Sequence, residues 1–276
     1  MSAHIYSHIS HPLQVHGLAS TTTAKRLVVF LHGWWGDIIK SWGDFAVSPD
    51  YDQWWQEADL LFIGYDSTRE DITAMAARLG RYIRDFYPTP AVNFTAARFS
   101  DPANSNVEYD ELVLVGHSLG GLIIRRAVID AADEWVNSTN CTGAPPVLLE
   151  AQLRLFSPAS AGFRPAGRLA LAYGPGIGPF VAMLLRTATA YSDLQPGSQV
   201  IANTRQRTER AVTEWHFESL RADLLWANPD RVVITERYDT DRHSHAADGK
   251  SHRSVCKPTL KYDLPYVFVE GGRAWS

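Results

Sequence analysis

The stretch that most constrains how this chain can fold is ELVLVGHSLGG, residues 111–121. Its opening is a short apolar run with two valines, the signature of a buried strand. From Leu119 onward, LGGLIIRRAVIDAADEW (119–135) has the length and spacing of a helix. Ser118 stands at the junction with glycines on both sides, in the pattern G-x-S-x-G followed by Gly121. A strand that passes into a helix over so few residues must turn tightly, and glycines remove the β-carbons that would clash there. Ser118 is then held on a strained corner, its hydroxyl pushed out over the sheet edge. The helix starts at the next residue, so the Leu119 main-chain N–H points at whatever Ser118 approaches. A nucleophilic serine is the chemistry such a corner suits.

The rest of the chain has the same alternation. RLVVFLH (26–32), DLLFIGY (59–65), AQLRLFS (151–157) and ADLLWA (222–227) read as buried strands, and RVVITERY (231–238) as a further one. REDITAMAARLGRYIRDF (69–86) and RQRTERAVTEWHFESLRA (205–222) read as helices. Strands alternating with helices imply an α/β fold, a mostly parallel central sheet with helices on both faces. Breaker-rich loops fall at 99–106 and 137–146. No repeat and no shift of composition marks a linker, so residues 1–276 are read as one domain.

Composition narrows the function. The 276 residues are 45% apolar and 20% charged with a formal net charge of −4, and no long basic run speaks for nucleic acid. Two cysteines, Cys141 and Cys256, are too few for a disulfide framework. The N-terminus lacks a charged start followed by an apolar block, so no secretory signal is read there and a cytoplasmic location is expected. LALAYGPGIGPFVAMLL (169–185) is short for a bilayer span and broken by glycine and proline. It is read as part of a cap or lid insertion around 160–200, rich in apolar and basic residues. Arg154, Arg164, Arg168 and Arg186 lie in an acid-free stretch from Ala151 to Ser192. A greasy acyl part and an anionic head suit such a cap.

FLHGWWGD (30–37) follows the 26–32 strand, and Gly33 lets the backbone turn its next N–H inward. Trp34 is therefore the candidate second N–H donor to a developing oxyanion, beside Leu119. Gly33, Trp35 and His117 are candidate substrate contacts. LHGWWGD, GHSLGG and the later SHRSVCKP together resemble the lipase-like serine esterases of the α/β-hydrolase superfamily, over about residues 26–260. That resemblance implies an eight-stranded sheet, a triad in the order serine, acid, histidine, and cleavage of carboxylic esters without metal or other cofactor. His252 matches the family's histidine position at the head of HRSVCKP, with His243 as fallback and His216 and His245 as the remaining histidines after Ser118. The acid is expected after the seventh strand, in LLWANPDRVVI, which makes Asp230 the candidate; Glu236, Asp239 and Asp241 are rivals.

The expected substrate is a small-molecule or lipid-like ester. The same residues serve acyl transfer, thioester or amide cleavage equally well, and the fold also supports binding modules with no chemistry. A metal at His243 and His245 is a further reading, weakened by the want of a third ligand at fixed spacing.

Overall fold

The computed structural model describes residues 4–9, 14–46, 52–67, 69–98, 108–138, 144–163 and 193–273. At its centre is an eight-stranded sheet. In chain order the strands are β1 (His4–His8), β2 (Val15–Ser20), β3 (Arg26–Leu31), β4 (Ala58–Ile63), β5 (Glu111–His117), β6 (Gln152–Phe156), β7 (Asp223–Asn228) and β8 (Ser244–Asp248). They lie side by side as β1-β2-β4-β3-β5-β6-β7-β8. β1 and β2 run antiparallel to their neighbours and all other pairs are parallel.

The central strands are apolar along their whole length because both faces are covered. Side chains alternate between two cores. Leu27, Val29, Leu31, Leu112 and Leu114 face the helices α2 (Ile72–Ile83) and α4 (Leu119–Asn137). Val28, Phe30, Val113 and Val115 face Trp42, Phe45 and Trp55 together with Phe268 of α6 (Leu264–Gly271). The tryptophan-rich stretch after β3 thus divides. Trp42 and Trp55 are core, the latter in the short helix α1 (Gln53–Gln56), while Trp34 and Trp35 belong to the loop. Asp71 caps α2 by accepting from the Ala74 N–H at 2.7 Å.

Register aligns the strand ends that matter. Leu31 lies beside both Ile63 and Gly116, and His117 beside Phe156. The carboxyl ends of β3, β5 and β6 therefore reach one edge together, which is where open parallel sheets place their sites.

Several expectations are corrected. Residues 231–238 form no strand; Val233 makes one isolated bridge to Phe163, and the eighth strand is Ser244–Asp248. Asp230 Oδ1 accepts from the Val232 and Val233 N–H groups, at 2.9 and 3.1 Å, so the donors a ladder would need are turned onto a side chain. The late helix is α5 (Gln199–Glu214), started by Ser198 and ended at Trp215; His216, in a left-handed conformation at φ 59°, lies beyond it. β1 and β2 come from a stretch without specific sequence signal, as does α6. A short helix, α3 (Val92–Arg98), was also unanticipated. Arg154 is no part of a cap: it sits buried in β6 and pairs with Asp223 at 2.7 Å. The cap expected around 160–200 falls largely on 164–192, outside the described residues, as do Cys141 and most of the two breaker-rich loops.

Candidate active site

Ser118 joins β5 to α4 at φ 56° and ψ −119°, a conformation that L-residues adopt only under constraint. Its N–H donates to Phe156 O at 3.0 Å, and its carbonyl accepts from Gly121 at 3.2 Å and Ala159 at 3.2 Å. These bonds tie the corner to β6 and to the first turn of the helix. The flanking glycines are required by close approach. A β-carbon on Gly120 would stand 2.1 Å from Leu31 O, and one on Gly116 would stand 2.6 Å from Gly121 Cα. The helix can therefore press onto the ends of β3 and β5 only because both are glycine.

The loop after β3 reaches the same point. A β-carbon on Gly33 would lie 2.8 Å from Ser118 Cβ, so the Gly33–Trp34 backbone passes directly over the serine. Gly36 N–H closes a turn onto Gly33 O at 2.9 Å, and Trp35 N–H donates to Ser67 Oγ at 2.9 Å. Below the loop, buried His32 stacks on Tyr65 with ring centroids 4.5 Å apart and donates through Nδ1 to Gly33 O at 2.8 Å. Burial pulls the His32 pKa down against the opposing pull of the Gly33 bond and the Asp37 charge, so the ring stays a neutral brace. Trp34 and Trp35 stack at 4.6 Å and line the cleft, with Trp35 at its exposed mouth.

His252 and Asp230 form a buried pair, Nδ1 to Oδ2 at 2.8 Å. Burial alone would raise the Asp230 pKa; the His252 hydrogen bond and charge and the Val232 and Val233 N–H groups outweigh it, and the net shift is downward. His252, Ser118, Gly33, Trp34, Trp35 and Phe163 line one cleft of about 210 Å³. No hydrogen bond joins Ser118 Oγ to His252 in this structure, and such bonds often tighten only with substrate bound. The first N–H candidate, Leu119, is the first residue of α4, where the initial N–H groups have no acceptor within the helix.

His117 lines the cleft and does something the sequence did not signal. Its Nε2–H donates to the His252 carbonyl at 2.8 Å, with the two rings 4.7 Å apart. Burial and the charges of His252 and Lys257 bring its pKa to about 3, so it is a neutral donor anchoring the histidine loop to the serine turn.

The rival acids lie elsewhere. Asp241 accepts from buried Arg125 at 2.8 Å through both oxygens, Glu236 pairs with Arg205 at 3.1 Å, and Asp239 is exposed. The fallback base, His243, is bonded through Nδ1 to Asp223 at 2.8 Å, at the far end of β7. Among the described residues, no three His, Cys, Asp or Glu side chains gather as a metal site, and no helix is long and apolar enough to cross a membrane.

Comparison with known proteins agrees with this architecture. Residues 21–144, which include both the Gly33–Trp34 loop and the serine turn, match the family described as "Putative serine esterase (DUF676)". A search of curated protein sequences finds no match. Among solved structures, the chain is similar to Bacillus licheniformis lipase BlEst2, at TM-score 0.53 and 18% identity over 89% of this chain and 92% of that one. It is also similar to the monoacylglycerol lipase of Paleococcus ferrophilus, at TM-score 0.51 and 14% identity over 95% and 98%. A carboxylesterase structure from Nitrososphaera gargenis aligns at TM-score 0.52 and 11% identity over 96% and 97%. At such identities the likeness speaks for the fold. The chain has the α/β-hydrolase fold. Over residues 21–144 the family match adds the serine-esterase description to that fold.

Proposed function

We propose that the protein hydrolyses carboxylic esters through an acyl-enzyme, with Ser118 as nucleophile, His252 as general base and Asp230 as the acid that orients it. The observation that carries this reading is the buried Asp230–His252 pair opening into the cleft that Ser118 lines from its strained corner. His252 takes the Ser118 proton as the oxygen attacks the ester carbonyl. The negative oxygen that forms is received by the Trp34 and Leu119 main-chain N–H groups; losing one such donor typically costs about 3 kcal/mol, or roughly a hundredfold in rate. His252 then protonates the departing alcohol, and water, activated by the same imidazole, releases the acid. Asp230 holds Nδ1–H, leaving Nε2 as the free base, and stabilises the imidazolium. Trp34, Trp35 and Phe163 supply an apolar wall for the acyl part, which supports small-molecule or lipid-like esters as substrates.

A fluorophosphonate probe tests the assignment. Wild-type protein should be labelled at Ser118, and Ser118→Ala should lose both the label and hydrolysis of a graded ester panel, by roughly 10⁵-fold or more. Labelling retained in Ser118→Ala would move the nucleophile elsewhere. Transfer of the acyl group to an added alcohol in preference to water would redefine the reaction as acyl transfer.

A further inference from the structure

The charge around the cleft runs against the charge of the chain. The protein carries a formal −4, yet the described cleft residues include Lys40, Arg253 and Lys257 and one carboxylate, that of Asp37. An adjoining recess that shares Val232, His252 and Arg253 with the cleft adds Arg231 and Lys250, and no acid among the described residues. Elsewhere several partly exposed arginines pair with neighbouring acids, as in Arg126–Asp130, Arg205–Glu209 and Arg221–Glu218. Among the described residues, Lys40, Lys257, Arg231 and Lys250 enter no salt bridge. Lys250 instead rests its ammonium over the Tyr262 ring at 3.6 Å. Asp37, the one acid among the described cleft residues, already receives the Ile39 and Lys40 N–H groups at 2.9 and 2.8 Å, and it feels the Lys40 charge.

Lys257 is the most telling of these. It is half-buried, lines the cleft, and stands close enough to His117 for its charge to oppose protonation of that ring. His117 precedes Ser118, so a positive charge is held beside the reacting centre with no carboxylate among the described residues in a salt bridge to it. Partial burial of an unpaired ammonium is unfavourable. A substrate anion removes that cost, and two rim cations, Lys40 and Arg253, flank the same opening.

We infer that the ester substrate carries its own negative charge, a carboxylate or a phosphate, held by Lys257 with Lys40 and Arg253 at the mouth of the cleft. This rests on the esterase reading above and names the substrate class within it. The neutral aromatic wall then takes the hydrocarbon, and the lysine side takes the anion.

Matched ester pairs test it: p-nitrophenyl hydrogen adipate against its methyl-capped neutral counterpart for the carboxylate, and monobutyryl glycerol 3-phosphate against monobutyrin for the phosphate. At low salt the charged member of at least one pair should be favoured about tenfold in kcat/KM, mostly through KM, and the pair concerned identifies the anion. The preference should shrink toward unity near 1 M salt, where the screening length is about 3 Å. Lys257→Met should bring the ratio toward one and Lys257→Glu should invert it, while Lys261→Met, which changes net charge outside the cleft lining, should leave the ratio alone. On wild-type protein, free adipate or glycerol 3-phosphate should compete with the neutral ester, and hexane-1,6-diol should not. Equal or better turnover of both neutral esters at low salt overturns this inference and leaves the esterase intact. Absence of any ester cleavage and of fluorophosphonate labelling removes the esterase reading, and this inference with it.

Discussion

Two aspartate–histidine pairs stand at opposite ends of β7, and they are not equivalent. Asp230–His252 and Asp223–His243 each join a carboxylate to Nδ1 at 2.8 Å. Asp223 opens the strand and Asp230 lies just past its end, so the two pairs are roughly 20 Å apart at about 3.3 Å of rise per residue. Their surroundings differ. Asp223 shares its other oxygen with the buried Arg154 guanidinium at 2.7 Å, and His243 is 39% exposed. Asp230 takes main-chain N–H groups instead, and His252 is buried against His117 in the cleft of Ser118. The same bond thus serves structure at one edge of the sheet and is available to chemistry at the other. What separates them is the edge: only the carboxyl ends of the strands bring a helix N-terminus, a strained serine and a glycine loop together.

Exchanging each aspartate for asparagine should split the two roles most sharply. Asp230→Asn should lower kcat/KM for a simple ester by about 10⁴-fold, because the imidazole loses its orienting acceptor. Asp223→Asn should leave the activity of the folded enzyme within about tenfold, yet cost about 3–5 kcal/mol in chemical denaturation, because Arg154 is left buried without its partner. Full activity in Asp230→Asn would break the comparison and pass the acid's role to Glu236, Asp239 or Asp241. Loss of activity per folded molecule in Asp223→Asn would break it from the other side.

The next largest effect concerns His117, an anchor with no counterpart described at the His243 end. Its folded pKa of about 3 lies below the ordinary value of 6.5. The unfolded chain therefore binds a proton that the folded one refuses, and stability is lost as pH falls from 6.5 toward 3. Between pH 7 and pH 5 this one ring accounts for about 2 kcal/mol at 1.36 kcal/mol per unit. His117→Gln should flatten urea-derived stability against pH by about that amount relative to wild type. Asp230, shifted downward, acts in a lower window: its contribution is present above about 3.9, the ordinary value, and is lost below it. Equal slopes in wild type and His117→Gln would mean that His117 is solvated and does not hold the loop.

How far the sequence reaches is clear from the same residues. Strands such as RLVVFL and ELVLVGH are legible because burial on both faces demands unbroken apolar runs, and the serine turn is legible because only glycine fits 2–3 Å from backbone. β1 is not, because its inward positions are polar: His4 is satisfied by Ala58 O and Ser7 by Asn93 O, partners far off in the chain. β8 is SHAAD, a segment of little strand preference that is paired because β7 offers it an edge. RVVITERY has the preference and is not a strand, because Asp230 takes its first amides. Asp230 and His252 could be nominated from their places in the chain, but their contact is tertiary. The His117–His252 bond and the nearness of Lys257 to His117 carry no local signal at all.

The smallest effect is the one expected at the other pair's histidine. His243 is more than a third exposed, so its bond to Asp223 is screened by water and worth at most about 1 kcal/mol. His243→Ala should therefore shift the denaturation midpoint slightly and change ester turnover by less than about twofold. Asp223 keeps Arg154 in that variant, so the buried charge stays matched, unlike in Asp223→Asn. The His243 and His245 rings lie parallel at 6.5 Å, and burial lowers the His245 pKa. Turnover should accordingly be indifferent to a strong chelator in wild type and variant alike. A chelator-sensitive rate abolished by His243→Ala would transfer the chemistry to that edge of the sheet, and the Asp230–His252 pair would then be the structural one.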